Sequence, residues 1–275
     1  MTQVSVVVPV YNRVKYLRDT IESIENQKGF DNFEIIVVDD CSTDGSLDLA
    51  HELAAVSALR PYGFTVCENH ENKGTGLTLQ KGFNQAKGEY IAVVDSDDLI
   101  TPFALKTLAK ALDRCPDIDY VWSLYEAFDG NYKNMRPGNR CKWNAPRNQK
   151  EVIMQNLIRF STFHLKMMRA EAYRNKMMQW SDMPGSSVDY AFVLQNMFRV
   201  QMRRVDSVCY YYRNKTPGSH SELRQKEQTT IASAYRNEAL SYALRNKWIT
   251  DDQFVFIKNE SQRLAEQRAK NRAYG

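Results

Sequence analysis

Short apolar runs alternate with longer stretches of helical spacing over the first 125 residues of the chain. Ile35–Val38 is apolar at successive positions, which indicates a strand buried on both faces, as in a parallel sheet covered by helices. The pattern therefore predicts βαβ units and a doubly wound sheet. The predicted strands are Val4–Val10, Glu34–Asp39, Gly63–Glu68, Glu89–Asp95 and Asp119–Leu124, and the predicted helices between them are Lys15–Gln27, Ser46–Leu59, Gly74–Ala86 and Pro102–Arg114.

The pattern changes after residue 129. Residues 130–150 contain six basic residues, no acidic residue and no periodicity, which predicts a long loop. The last 50 residues are expected to be helical, and Thr250-x-x-Gln253 is a capping box for the final helix. Between them we predict helices over Glu151–Arg159 and Ala170–Lys176 and from Asp189, with strands over Phe163–Met168 and Met202–Tyr211.

Composition excludes several classes of protein. The chain has 275 residues, of which 43% are hydrophobic and 25% charged, with a net charge of +4, so disorder, collagen and coiled coil are excluded. No apolar run approaches the roughly 20 residues of a membrane helix. The first residues lack the basic region of a secretory signal, and the five cysteines form no C-x-x-C pair. We therefore expect a cytoplasmic protein.

Acidic residues follow two of the predicted strands. Asp39 and Asp40 end strand two, and Asp95, Asp97 and Asp98 follow strand four, in a D-x-D pattern. Ligands of an open parallel sheet bind beyond the carboxyl ends of its strands, where such clustered carboxylates repel one another. Mg²⁺ or Mn²⁺, which prefer oxygen ligands, would neutralise them. Acidic turns also cap helices, and for Asp98 this plainer interpretation stays open.

Several motifs occur in one order along the chain. They are Pro9–Asn12, Val37–Ser46, Asn72–Gly74 with Ala86–Ile91, and Asp95–Asp98. This set resembles the family-2 glycosyltransferases, inverting enzymes with the GT-A fold. The resemblance covers residues 3–125 densely and reappears weakly at Ser187–Leu194 and Tyr211–Ser221.

The resemblance implies a fold and a division of the chain. The fold is α/β of the GT-A class: a Rossmann-like, mostly parallel sheet with helices on both faces, plus a C-terminal helical extension. Residues 1–125 would form the nucleotide-sugar-binding half, residues 126–221 the acceptor-side half of the same domain, and residues 222–275 the extension.

The resemblance also implies a nucleotide pocket. Pro9, Val10 and Tyr11 match residues that line it. A carboxylate of the Asp39 and Asp40 pair would accept a hydrogen bond from the base, which we expect to be uracil.

The residues matching Asp95 and Asp97 hold the ribose and the metal in that family, with Asp97 the more direct metal ligand and Ser96 between them. The implied cofactor is Mn²⁺ or Mg²⁺.

The second half of the chain would complete the site. Asp189 matches the catalytic base, although an N-cap is an equally good interpretation from the residues alone. Arg213 lies in a segment resembling the loop that closes over the diphosphate. His220, in the same segment, is a further candidate metal ligand, with an exposed loop histidine as the alternative.

Three positions depart from the family pattern. Val188 stands where a glutamate is common, Leu79 where a polar contact is frequent, and Cys41 where glycine is common. The Q-x-x-R-W sequence of processive enzymes does not follow Asp189, so membrane-embedded polymerisation is not expected. His164 and the run Tyr210–Tyr212 are expected to be structural parts of strands.

The resemblance implies a metal-dependent inverting glycosyltransferase that moves one sugar from a nucleotide sugar, expected to be a UDP-sugar, to an acceptor hydroxyl in glycan or surface polysaccharide biosynthesis. The basic segments Lys133–Lys150 and Arg263–Arg272 also permit an anionic acceptor, such as a lipid surface or a modified nucleic acid. A nucleotidyltransferase would need a glycine-rich loop after strand one, and none is present. A nucleotide-sugar-binding protein that has lost catalysis is the non-enzymatic alternative.

Overall fold

The computed structural model describes residues 3–57, 63–129, 146–158, 162, 164–180, 188–214 and 225–273, with side chains of the last segment over 230–267. The strands are β1 (Val4–Val10), β2 (Phe33–Asp39), β3 (Phe64–Glu68), β4 (Tyr90–Val93), β5 (Leu99–Ile100), β6 (Tyr120–Asp129), β7 (Lys166–Arg169) and β8 (Met202–Asn214). The helices are α1 (Leu17–Glu25), α2 (Ser46–Val56), α3 (Thr75–Gln85), α4 (Ala104–Asp113), α5 (Gln149–Ile158), α6 (Ala170–Asn175), α7 (Val188–Asn196), α8 (Gln225–Arg245) and α9 (Asp251–Ala273).

The strands form one mixed sheet in the order β3-β2-β1-β4-β7-β6-β8-β5. Strands β1 to β4 pair in parallel, whereas β7 is antiparallel to both of its neighbours, β4 and β6. β8 is parallel to β6, and β5 is antiparallel to β8. The start of β7 therefore lies beside the end of β4, and on its other side opposite Trp122, near the start of β6. We call the edge of the sheet at which β1, β2 and β4 end its carboxyl end.

Hydrophobic cores lie on both faces of the sheet. On one face, α3, α5, α7 and α8 bury residues such as Phe83, Leu157 and Phe192 against the sheet. On the other face, α1, α2 and α4 bury residues such as Ile21 and Leu108. This arrangement explains why β2 is apolar at successive positions, since each face of the strand is covered.

The main differences from the predicted elements arise where β8 pairs with other segments. The two-residue strand β5 was not predicted, and it exists because it pairs with Tyr210 and Tyr211 of β8. β6 and β8 both extend beyond their predicted ends because they pair with each other as far as Asp129 and Asn214. β4 ends at Val93, short of the predicted Asp95.

Two further boundaries differ. β7 covers Lys166–Arg169 and not Phe163–Met168, and α5 begins at Gln149, inside the segment predicted as a loop. The rest of that predicted loop lies outside the described residues up to position 145.

The C-terminal extension is helical, as predicted. The Thr250 N–H donates to Gln253 Oε1 at 3.0 Å and the Gln253 N–H donates to Thr250 Oγ1 at 3.3 Å, so the capping box that opens α9 is confirmed. Within the described part of the chain, no helix combines the length and the apolar character needed to cross a bilayer.

We predict that Gly88→Ala destabilises the sheet. A Cβ atom at this position would lie 2.6 Å from the backbone nitrogen of Ser5 and 2.9 Å from the carbonyl oxygen of Tyr90. Such overpacking costs about 1–3 kcal/mol of unfolding free energy. Urea unfolding followed by tryptophan fluorescence measures the loss. Lys87→Ala, which changes the exposed neighbouring side chain, is the control and should stay within about 0.5 kcal/mol of wild type. Equal stability of the two variants would contradict the prediction.

Candidate active site

Two strained turns shape the carboxyl end of the sheet. Asn12 after β1 and Cys41 after β2 have left-handed backbones, with φ of 54° and 63°. The turns are tied together, because the Asn12 N–H donates to Ser42 Oγ at 2.9 Å and the Arg13 N–H donates to Ser46 Oγ at 2.7 Å. The left-handed φ also explains why glycine suits the position of Cys41. Strain of this kind is common at functional sites.

Asp39 and Asp40 lie at this end but have different surroundings. Asp40 Oδ1 accepts from Asn69 Nδ2 and the Lys73 N–H, and its Oδ2 accepts from the Gly74 N–H, each at 2.8 Å. Asp39 Oδ2 accepts from the Ser42 N–H at 2.8 Å. Asp39 Oδ1 is buried and has no hydrogen-bond partner among the described residues. Of the two, Asp39 therefore keeps an oxygen for a donor that the described residues do not supply.

The predicted nucleotide-pocket residues of β1 lie next to this pair. Pro9 and Val10 are opposite Val38 and Asp39 in the β1–β2 register. Tyr11 follows them and is exposed. A planar ligand above this turn could contact the Tyr11 ring.

Cations balance the second acidic turn, which follows β4. Arg13 Nε lies 3.2 Å from Asp97 Oδ2. Arg213 Nε donates to the carbonyl oxygen of Asp97 at 2.8 Å, and its guanidinium lies against the ring of Phe128. Ser96 is buried in this turn. Arg213 of β8 thus anchors the turn that carries Asp95 and Asp97.

Asp98 has no capping role here. Its Oδ2 accepts from the Tyr210 hydroxyl at 2.8 Å and its Oδ1 accepts from the Arg213 N–H at 2.7 Å, so it joins the turn to β8. Burial, followed by the charges of Asp97 and Asp95, raises the pKa of Asp98 well above its ordinary value. A nearby cation would relieve this cost.

Asp95, Asp98 and His164 form a candidate metal-binding group. One ligand atom of each lies within 4.8 Å of the others. Oxygen with imidazole nitrogen is a donor set that suits Mn²⁺ better than Mg²⁺. The His164 ring stacks on Tyr210 at 4.6 Å between centroids, which fixes its position. The residues present therefore fit a divalent metal.

The charges of this group respond to their surroundings. Burial, together with the Asp189 carboxylate, raises the pKa of Asp95 to about 6. Burial, together with the Lys166 ammonium, lowers the pKa of His164 to about 3, so the imidazole is neutral and its lone pair is available at neutral pH.

Asp189 lies in the first turn of α7 and forms an ion pair with Lys166 of β7. Its side chain is 37% exposed, while that of Lys166 is 1% exposed. Burial acts to raise the pKa of Asp189, but the Lys166 ammonium outweighs it and lowers that pKa below its ordinary value. The carboxylate is therefore ionised and partly open to solvent, as a general base must be.

Sequence reasoning missed four side chains of this site: Arg13, His164, Lys166 and Tyr210. A signal existed for Lys166, because a lysine within the apolar run Leu165–Met168 is unusual in a buried strand. His220 lies outside the described residues. Leu79 and Val188, two of the departures from the family pattern, are core residues.

The fold matches solved glycosyltransferase structures. Staphylococcus aureus TarS in complex with UDP-GlcNAc has a TM-score of 0.64 and 22% identity, over 93% of this chain and 79% of that one. The mannosyltransferase PcManGT from Pyrobaculum calidifontis, in complex with GDP-Man and Mn²⁺, has a TM-score of 0.55 and 17% identity, over 94% and 79% of the two chains. The expected GT-A fold class is confirmed.

The chain belongs to glycosyl transferase family 2, whose model matches residues 5–175. Glycosyltransferase GlyG of Streptococcus pneumoniae is 36% identical over 132 residues, which are 47% of this chain and 42% of GlyG. TarS of S. aureus, a poly(ribitol-phosphate) β-N-acetylglucosaminyltransferase, is 27% identical over 225 residues, 80% of this chain and 37% of TarS. The chain thus spans less than half the length of these relatives.

We predict opposite effects on stability for the two neighbouring aspartates. Asp40→Asn places an amide group against donors that now bind a carboxylate, and should lower the unfolding free energy by about 1.5–3 kcal/mol. Asp39→Asn removes a buried charge whose Oδ1 has no hydrogen-bond partner among the described residues, and should leave the stability equal or higher. Urea unfolding of the ligand-free variants measures both, and a larger loss for Asp39→Asn than for Asp40→Asn would contradict the assignment.

Proposed function

We propose that this protein is a metal-dependent inverting glycosyltransferase that transfers a single sugar from a UDP-sugar to an acceptor hydroxyl. The observation that carries the proposal is the ionised, partly exposed Asp189 carboxylate at the end of the sheet that also carries the acidic turn. Displacement of a diphosphate requires a base for the acceptor hydroxyl and a cation site beside the donor, and here the two lie on neighbouring elements.

The donor nucleotide binds over β1 and β2. Asp39 Oδ1, which lacks a partner among the described residues, accepts the imide N–H of uracil. The oxygen is closed to solvent in the ligand-free protein, so the turns after β1 and β2 must adjust to admit the base. The structures of TarS with UDP and with UDP-GlcNAc support a UDP-sugar.

The residues after β4 hold the metal and the ribose. Asp95, which belongs to the D-x-D pair and also lies near His164, is the ligand we assign first, and Asp97 joins it if Arg13 moves away. The metal, when bound, would supply Lewis acidity that stabilises the leaving diphosphate. Arg13, so released, can donate to phosphate oxygens.

Asp189 acts as the general base. It takes the proton of the acceptor hydroxyl while the acceptor oxygen bonds to the anomeric carbon. The bond from that carbon to the diphosphate oxygen breaks, and the electron pair leaves with UDP. Attack from the face opposite the leaving group inverts the configuration.

The acceptor is a glycan or a surface polysaccharide. The relatives support this class, since TarS is named for transfer to poly(ribitol-phosphate). A polyol phosphate chain also has the negative charge that the basic segment at 263–272 would attract.

The donor is tested with a panel of UDP- and GDP-sugars, with Mn²⁺ or with EDTA. We expect diphosphate release from a UDP-sugar in Mn²⁺ and none in EDTA, and a β-configured first product from an α-linked donor by proton NMR. Calorimetry should show UDP binding at least about tenfold weaker in Asp39→Asn, the effect of losing a hydrogen bond to a charged group. Release from GDP-sugars alone, or an α-configured product, would contradict the proposal.

Asp189→Asn should remove the base and spare the donor site. We expect transfer to fall by about 10²–10⁴-fold, the contribution typical of a positioned base, with UDP affinity within about twofold of wild type. Asp119→Asn is the control, because Asp119 also forms an ion pair with a lysine but precedes β6, at the opposite end of the sheet. If the Asp189→Asn variant transferred sugar as fast as the Asp119→Asn variant, another residue would have to be the base.

A further inference from the structure

Lys166 is an unusual residue in its position. It begins β7 between β4 and β6, opposite Val93 and Trp122. Its neighbours Leu165 and Met167 are fully buried, and Lys166 itself is 1% exposed. Lysine is almost never buried to this extent unless it is paired, because the ammonium loses its hydration.

The partner of Lys166 is the residue we assign as the base. The Lys166 ammonium donates to Asp189 Oδ1 and lies 6.0 Å from the centre of the Trp180 ring. No other hydrogen bond to the Asp189 carboxylate is seen from the residues that the structure describes. Lys166 thus connects Asp189 Oδ1 of α7 to the sheet. The Asp189 side chain is partly exposed, so it can present Oδ2 outward.

The charge of Lys166 also acts on two carboxylates. Asp189 and Asp95 act on each other electrostatically, and the ammonium acts on both with the opposite sign. Two like charges repel each other, so the ammonium offsets the repulsion between Asp189 and Asp95. Lys166 therefore acts electrostatically on both the donor-side acid, Asp95, and the acceptor-side acid, Asp189.

We infer that Lys166 is a positioning residue of the transfer reaction, which holds Asp189 Oδ1 so that Oδ2 faces the hydroxyl to be deprotonated. The inference rests on the proposed function. Lys166 neither donates nor accepts a proton in the reaction. The proton of the attacking hydroxyl goes to Asp189, and Lys166 fixes the position of the Asp189 carboxylate. Misplacement of the base lowers the rate of transfer without lowering the affinity for the donor.

The first test compares Lys166→Met with Lys176→Met. Lys176 also forms an ion pair with an aspartate, Asp119, but away from the carboxyl end of the sheet. UDP release from the UDP-sugar, with water or an added acceptor receiving the sugar, gives kcat and KM. We expect kcat of Lys166→Met to fall at least tenfold with UDP affinity within twofold of wild type. Lys176→Met should keep wild-type kcat, and Lys166→Arg should recover part of the loss.

The second test is a double-mutant cycle with Asp189→Asn. If Lys166 acts through Asp189, the double variant should be no slower than Asp189→Asn alone, within about threefold. If the rate losses of the two single variants multiplied in the double variant, Lys166 would have an independent or general structural role, and the inference would be overturned. Melting temperatures identify folded variants, and Lys166→Gln replaces Lys166→Met if the methionine variant does not fold.

The outcomes separate the inference from the function on which it rests. A wild-type protein that releases no diphosphate from any donor contradicts the proposed function, and the role of Lys166 with it. An active wild type whose Lys166→Met variant is equally active contradicts the role of Lys166 alone.

Discussion

Carboxylates from the turns after β2 and β4 and from the start of α7 gather at the carboxyl end of the sheet, and the fold has to balance their charges. Three of them are balanced in different ways: Asp40 by backbone and amide N–H groups, Asp97 by Arg13, and Asp189 by Lys166. Removing such charges from water is costly, so each pair is favourable only when its partner is held in place. The buried lysine meets this requirement for Asp189.

The reversed strand β7 brings the two halves of the chain to one site. Since β7 is antiparallel to β4, its first residue, Lys166, lies opposite Val93, next to the acidic turn. A parallel strand in this place would have put Arg169 there and Lys166 at the far end. Asp189 then reaches the turn because it pairs with Lys166. One change of strand direction thus joins the donor-side residues to the candidate base.

Local patterns allowed much of this to be predicted. The continuous apolar run Ile35–Val38 predicted a strand buried on both faces, and the acidic residues after β2 and β4 followed from strand order and motif. The missed parts depend on pairing between distant segments. β5 exists only through β8, and His164 reaches Asp95 only because β7 inserts beside β4. A sequence pattern reports the burial of a strand but not the identity of its neighbour.

The position of β7 also has a consequence for synthesis of the chain. When residues 3–125 have left the ribosome, β4 has β1 on one side and nothing yet on the other, because β7 is made about forty residues later. An open strand of apolar composition such as Tyr90–Val93 is a template for pairing with other molecules. The nascent first half is therefore exposed to aggregation until the second half docks, and a chain cut near residue 125 should need a chaperone or a covering strand to stay in solution.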